Sequence, residues 1–228
     1  MEDFVKAADF FASLKPTEKV YLLIRHGERR HITPQDTDNG AHVGLTEKGR
    51  AQAFALGALF PDEGDAVYFS SPVGRCIDTA KCIAEGRASV GGPDARISGA
   101  TEAAEVKTAE LLGHFYVKNY DAYLGVLNDQ FYQNICAWIE SDNHPAFHPL
   151  HERAEEFLRF MKTHGTARFN IFSTHDAWVV PTLVHFCKLH FTPSFWMNYL
   201  TGIAFVVDED GRERIVAITG MDDGYLRF

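Results

Sequence analysis

The chain is short of everything that would make it a scaffold of cross-links or a membrane protein. Its four cysteines, Cys76, Cys82, Cys136 and Cys187, show no zinc-type pairing and are too few for a disulfide-stapled fold. The spacing of Cys76 and Cys82 puts both on one helix, and reduced, buried thiols are expected. No apolar run is long enough to span a bilayer. The N-terminal stretch has acidic residues where a secretory signal carries positive charge, so a cytoplasmic location is expected. Basic residues are also scarce: 22 Lys and Arg against 31 Asp and Glu give a formal net charge of −9. That balance excludes nucleic acid and anionic membranes as principal partners, because both need basic surface. No internal repeat or low-complexity segment occurs, and 228 residues with 46% apolar content suit one packed domain.

What is present is concentrated at three junctions. The apolar run Val20–Ile24 ends in Arg25-His26-Gly27-Glu28-Arg29. Its length and β-branched, aromatic content predict a buried strand that delivers an arginine and a histidine to its tip, with Gly27 allowing a sharp turn. A second strand-like segment, Ala66–Phe69, runs into Ser70-Ser71-Pro72-Val73-Gly74-Arg75. There Ser71 suits a helix cap, Pro72 the first helical position, and a helix is predicted to about Gly86. The third, Phe169–Phe172, leads into Ser173-Thr174-His175-Asp176. Parallel α/β sheets collect their chemistry at the carboxyl ends of their strands, so the three junctions are predicted to converge.

The remaining pattern is strand and helix in alternation. A short amphipathic helix opens the chain before Pro16; a long polar loop follows from Glu28 to Gly44; Thr46 caps a helix to about Phe60, weakened by Gly49 and Gly57. A short strand is predicted at Ala95–Ser98, and a helix after Pro149. Pro181 predicts a final helix beginning after Asp176 rather than at it. Gly202–Val207 and Glu213–Ile218 flank the turn Asp208–Gly211 as a closing hairpin, whose edge leaves the oligomeric state open. The fold class is therefore α/β: a three-layer sandwich with a mostly parallel central sheet, helices on both faces and a small helical insertion. The insertion, about residues 100–145, is rich in aromatics: Phe115, Tyr116, Tyr120, Tyr123, Phe131, Tyr132 and Trp138. Core packing is the favoured reading for these, with a pocket roof as the other.

Arg25, Arg75 and Arg29 are suited to gripping phosphoryl oxygens, since a guanidinium offers a planar, permanently charged fork. Arg25-His26-Gly27 together with the arginine and histidine of the other two junctions resembles the histidine phosphatase superfamily over about Lys19 to Leu189. The resemblance implies one histidine-phosphatase-like domain over 1–228 with a cap-like insertion. It implies a phosphate monoester hydrolase that needs no cofactor: His26 attacks phosphorus to form a phosphohistidine, and His175 donates a hydrogen bond to the phosphoryl group. The leaving alcohol needs an acid. Arg25-His26-Gly27-Glu28-Arg29 and His175-Asp176 resemble the acid phosphatase branch, which implies Asp176 as donor. Glu102 resembles, less closely, the donor of the phosphoglycerate mutase branch. His31 in place of a proline, a short insertion, and unpaired cysteines depart from secreted acid phosphatases. No metal is implied, and the lone histidines His114, His144, His148, His151, His164, His185 and His190 are expected in core or surface roles. The partner implied is a small phosphorylated substrate of open identity. A phosphoglycerate-mutase-like phosphotransferase and a non-catalytic phosphate-binding module are the alternatives.

Overall fold

The structure, a computed structural model, describes residues 4–33, 35–36, 38–92 and 105–227. A six-stranded sheet carries the molecule. In chain order its strands are β1 (Lys19–Arg25), β2 (Ala66–Ser70), β3 (Val106–Thr108), β4 (Phe169–Thr174), β6 (Gly202–Val207) and β7 (Glu213–Ile218), while β5 (Phe195–Met197) and β8 (Tyr225–Arg227) form a separate two-stranded ribbon. The sheet order is β3-β2-β4-β1-β6-β7. β1, β2, β3 and β4 run parallel, and the closing hairpin adds β6 antiparallel to β1 and β7 antiparallel to β6. The hairpin has the strand limits that the sequence predicts.

Period-2 alternation builds two cores from one strand. Val20, Leu22 and Ile24 of β1 enter a cluster with Phe10, Phe11, Leu56, Ala80 and Ile83 on one face, whereas Tyr21 and Leu23 join Phe69, Phe172, Phe157 and Trp178 on the other. The first face is covered by α1 (Ala7–Ala12), α2 (Glu47–Gly57) and α3 (Gly74–Ser89). The second is covered by α7 (Leu150–His164) and α8 (Asp176–Cys187), with the insertion helices α4 (Leu111–His114), α5 (Tyr120–Asn128) and α6 (Phe131–Ser141) beside them. Each fully buried Leu, Ile or Phe contributes about 1.5–3 kcal/mol, so both layers are needed to hold the sheet. Phe115, Tyr116 and Trp138 are core residues as expected, while Tyr120 is exposed.

Three sequence expectations are corrected. α3 runs through Gly86 to Ser89 instead of stopping at the glycine. A Cβ on Gly86 would meet the Phe54 carbonyl at 1.8 Å, and one on Gly57 the Ile83 carbonyl at 2.0 Å. These glycines are where α2 and α3 touch backbone to backbone, which outweighs their poor helix propensity. α8 begins at Asp176, with Pro181 inside it. Pro181 lacks the N–H that would pair with Ala177, yet the helix continues because Trp178, Val179, Val180 and Leu183 bury its sides. Ser71 does not cap α3; Val73 precedes the helix and no side chain caps it. The predicted strand Ala95–Ser98 lies outside the described residues.

Candidate functional site

β1, β2 and β4 end side by side, so Arg25, Ser71 and His175 meet at one edge of the sheet. Arg25 continues the face of Tyr21 and Leu23 and is 2% exposed. Its Nη1 donates to the Met197 carbonyl at 2.6 Å and its Nη2 lies 3.0 Å from Asp176 Oδ2. The guanidinium carbon sits 4.2 Å from the centre of the Tyr199 ring, a cation–π platform. Arg25 Nε is buried with no hydrogen-bond partner, a donor free for an oxygen ligand.

His26, also 2% exposed, is held in a defined tautomer. A carbonyl can only accept, so the 2.8 Å contact of Nδ1 with Gly27 O places the ring proton on Nδ1. Nε2 is left with its lone pair and accepts from Arg75 Nε at 3.1 Å. Burial, together with Arg75 and Arg25, pushes the His26 pKa well below 6.5. The ring is therefore neutral at physiological pH, with an unprotonated Nε2. Gly27 is favoured by close approach: a Cβ there would lie 3.0 Å from the Gly49 carbonyl of α2. The Gly27 amide donates to Thr79 Oγ1 at 2.9 Å, and Thr79 donates onward to the Arg75 carbonyl at 2.7 Å.

Arg75 stands on the first turn of α3, with Nη1 on the Gly40 carbonyl at 2.9 Å and Nη2 3.5 Å from His175 Nδ1. Gly40 ends a turn in which Asp38, Asn39 and Gly40 all have positive φ, so the polar loop after β1 is folded back over the site. The loop is cross-linked by Arg30 and His42, both of which reach Asp36. His175 immediately precedes α8 without capping it through its side chain, and its ring lies edge-on to His26, with centres 5.6 Å apart. Its Nε2 shares a hydrogen bond with the Ser71 hydroxyl at 3.1 Å. Burial and Arg75 lower the His175 pKa to about 3, so this ring too is neutral. Cys76 Sγ packs 3.7 Å from His175 Nε2, and burial pushes that thiol up to about 12, which leaves it an inert neighbour.

Asp176, at the start of α8, accepts from the Trp196 indole N–H at 3.1 Å and from the Ala177 amide at 3.0 Å. Burial is the largest influence and raises its pKa, yet Arg25, Arg29, the indole and His175 together pull it below the ordinary value. Arg29 is half-buried; its Nε has no hydrogen-bond partner.

The structure thus brings Arg25, His26, Arg75, His175 and Asp176 into one site, with Arg29 at its edge. Glu102 lies outside the described residues. Ser71, Thr79, Gly40, Trp196 and Tyr199 were not anticipated as site residues. Among the described residues no cluster of His, Cys, Asp and Glu could hold a metal ion, and no helix is long and apolar enough to cross a membrane. All four cysteines are free.

The family model described as histidine phosphatase superfamily (branch 1) matches residues 21–218, which takes in all three strand ends. The chain belongs to this superfamily. As a histidine phosphatase it is an enzyme, a phosphoric monoester hydrolase. Two solved mycobacterial hydrolases are similar in fold. A mycobacterial glucosyl-3-phosphoglycerate phosphatase is 14% identical, with a TM-score of 0.50, over 89% of this chain and 99% of that one. A protein described as mycobacterial hydrolase 1 is 16% identical, with the same TM-score of 0.50 and the same coverage of 89% and 99%. A phosphoserine phosphatase from Entamoeba histolytica is 18% identical over 86% of this chain and 94% of that one, at a TM-score of 0.46. At these identities the likeness concerns fold. No curated protein sequence matches. The superfamily match is to branch 1, and the acid-phosphatase likeness rests on the motifs at Arg25–Arg29 and His175–Asp176 alone.

Proposed function

We propose that this histidine phosphatase hydrolyses a small phosphate monoester through a phosphohistidine on His26, without a metal ion. The observation that carries the reading is the state of His26: neutral, buried, its proton committed to Gly27 and its Nε2 lone pair aimed among three cationic or hydrogen-bonding side chains. Arg25 and Arg75 hold the equatorial oxygens, with one of these replacing the Gly40 carbonyl on Arg75 Nη1 and another taking the orphaned Arg25 Nε. Arg75 Nε–H leaves the Nε2 lone pair for a phosphoryl oxygen, Nε2 forms the N–P bond as the ester P–O bond breaks, and His175 donates a hydrogen bond to the phosphoryl group. Water then attacks phosphorus, the N–P bond breaks and inorganic phosphate leaves.

The leaving alkoxide takes its proton from Asp176, and the resulting carboxylate later receives the proton of the attacking water. Without substrate Asp176 is an anion paired to Arg25. A phosphate dianion on Arg25 competes for that guanidinium and adds negative charge beside the carboxylate, and both effects raise its proton affinity. The acid is thus loaded as substrate binds. The likeness of His175-Asp176 to the acid phosphatase motif supports this choice of donor; Glu102 is the other candidate donor.

The test is phosphate release from a panel of phosphate monoesters between mildly acidic and neutral pH with EDTA present. Release is expected in the parent, absent in His26→Ala, and reduced in Asp176→Asn most strongly for esters with poor leaving groups. An active His26→Ala variant overturns the mechanism. Intact esters with tight binding of a phosphate analogue would make the chain a binding module, and activity only with a phosphorylated primer would make it a mutase.

A further inference from the structure

We infer that Trp196 is a positioning residue that fixes Asp176 and sets the pH at which that carboxyl group carries its proton; the inference rests on Asp176 being the acid of the proposed reaction. Asp176 Oδ2 is the shared acceptor of two donors, Trp196 Nε1 at 3.1 Å and Arg25 Nη2 at 3.0 Å. A hydrogen bond to the charged form of an acid favours that form. Substrate can draw Arg25 away, because Arg25 is itself a phosphate ligand. The indole cannot leave: it is fully buried, uncharged, and has no role with the phosphoryl group. In the substrate complex the indole is therefore the side-chain donor that remains on Oδ2, with the Ala177 amide on Oδ1.

Two further observations make Trp196 a fixed point. Its strand β5 pairs with β8, Trp196 facing Leu226, and the next residue, Met197, supplies the carbonyl that holds Arg25. One three-residue strand thus locates both ends of the Arg25–Asp176 pair. The indole also packs edge-on against Tyr132 of α6 with centres 5.0 Å apart, and against Phe191 at 6.0 Å. The insertion helices consequently bear on the acid through one ring.

The chain has three tryptophans, and the other two indoles donate to backbone carbonyls, Trp138 to His148 and Trp178 to Gly113. Trp196 alone donates to a side-chain carboxylate, which gives a direct readout. In nitrogen-15 spectra of the parent, the indole signal absent from Trp196→Phe should shift with pH and stand at a different position in Asp176→Asn, with the other two unmoved. In kinetics, loss of the indole donor makes Asp176 easier to protonate. The alkaline limb of kcat, which reports the acid in the substrate complex, should move up by about one pH unit in Trp196→Phe. In an Asp176→Asn background the same substitution should leave the profile where it is. A lower kcat with an unmoved limb, together with an indole signal insensitive to Asp176→Asn, would overturn the inference and leave Trp196 a packing residue. Should Asp176→Asn be fully active on every ester, the acid assignment falls. The indole signal still decides whether Trp196 holds this carboxylate, and an unchanged signal then overturns that as well.

Discussion

Arg75 Nε donates to the lone pair of His26 Nε2, the atom that attacks phosphorus in the proposed reaction, at 3.1 Å. One guanidinium thereby fixes the nucleophile's direction and, through Nη1 and Nη2, faces the space between Gly40 and His175. Lysine offers a point charge in place of a planar fork and cannot do both. Arg75→Lys is expected to lower kcat by about 10²–10³-fold, the range seen when one preorganised donor is removed from a transition state, with a smaller change in KM. Steady-state kinetics on an activated aryl phosphate measure it. A loss confined to KM would mean that Arg75 only binds substrate.

The site also dictates how the protein responds to acid. In the unfolded chain His26 and His175 take up protons near pH 6.5, whereas in the fold both pKa values are depressed, that of His175 to about 3, by burial and by the neighbouring arginines. Below pH 6.5 the unfolded state thus binds more protons than the native one. The stability attached to the two neutral rings is whole above 6.5 and is lost as pH falls. Each ring is expected to cost about 1.4 kcal/mol per pH unit across that interval. Melting temperatures between pH 7.5 and 5 should fall steeply in the parent and less steeply in His175→Asn. Parallel curves would sink the linkage.

The crossing of α2 and α3 gives a prediction in which helix propensity and packing have opposite signs. Gly86→Ala gains up to about 1 kcal/mol of propensity. It also drives a methyl group into the Phe54 carbonyl, where a Cβ would lie 1.8 Å away, and the obstacle is backbone that cannot swing aside. Overpacking of this kind costs about 1–3 kcal/mol or more. Denaturant unfolding should show a net loss of stability; a stabilised variant would show that the helices part freely.

These cases mark what the sequence could and could not disclose. The strand ends were legible to within two residues, at Ile24, Phe69 and Phe172 against the observed Arg25, Ser70 and Thr174, because the apolar runs stop where polar residues begin, and parallel topology then makes the three tips neighbours. Gly86 misled because its local preference is to end a helix, while its role is set by a partner helix about thirty residues away. Ser71 misled likewise: its position suits a cap, but the hydroxyl meets His175 across the sheet. Trp196 and Tyr199 had no local signature at all. They reach Asp176 and Arg25 because a short ribbon pairs Phe195–Met197 with the chain's last strand, and a three-residue strand carries no periodicity to read.

Thr79 offers the sharpest test of how the fold holds His26, the nucleophile of the proposed reaction. Its hydroxyl accepts from the Gly27 amide and donates to the Arg75 carbonyl, joining the turn behind His26 to the helix that carries Arg75. Thr79 is fully buried, so Thr79→Val replaces the hydroxyl with a methyl of similar size and strands the Gly27 amide. An unsatisfied buried donor costs about 1–3 kcal/mol, which should appear as a lower denaturation midpoint at unchanged m-value. The same loss frees His26 to move relative to Arg75, so kcat should fall beyond what the fraction unfolded explains. Thr79→Ser keeps the hydroxyl and should recover most of kcat while remaining somewhat less stable for its missing methyl. Equal kcat in the valine and serine variants would show that the link between Gly27 and Arg75 serves stability and leaves catalysis untouched.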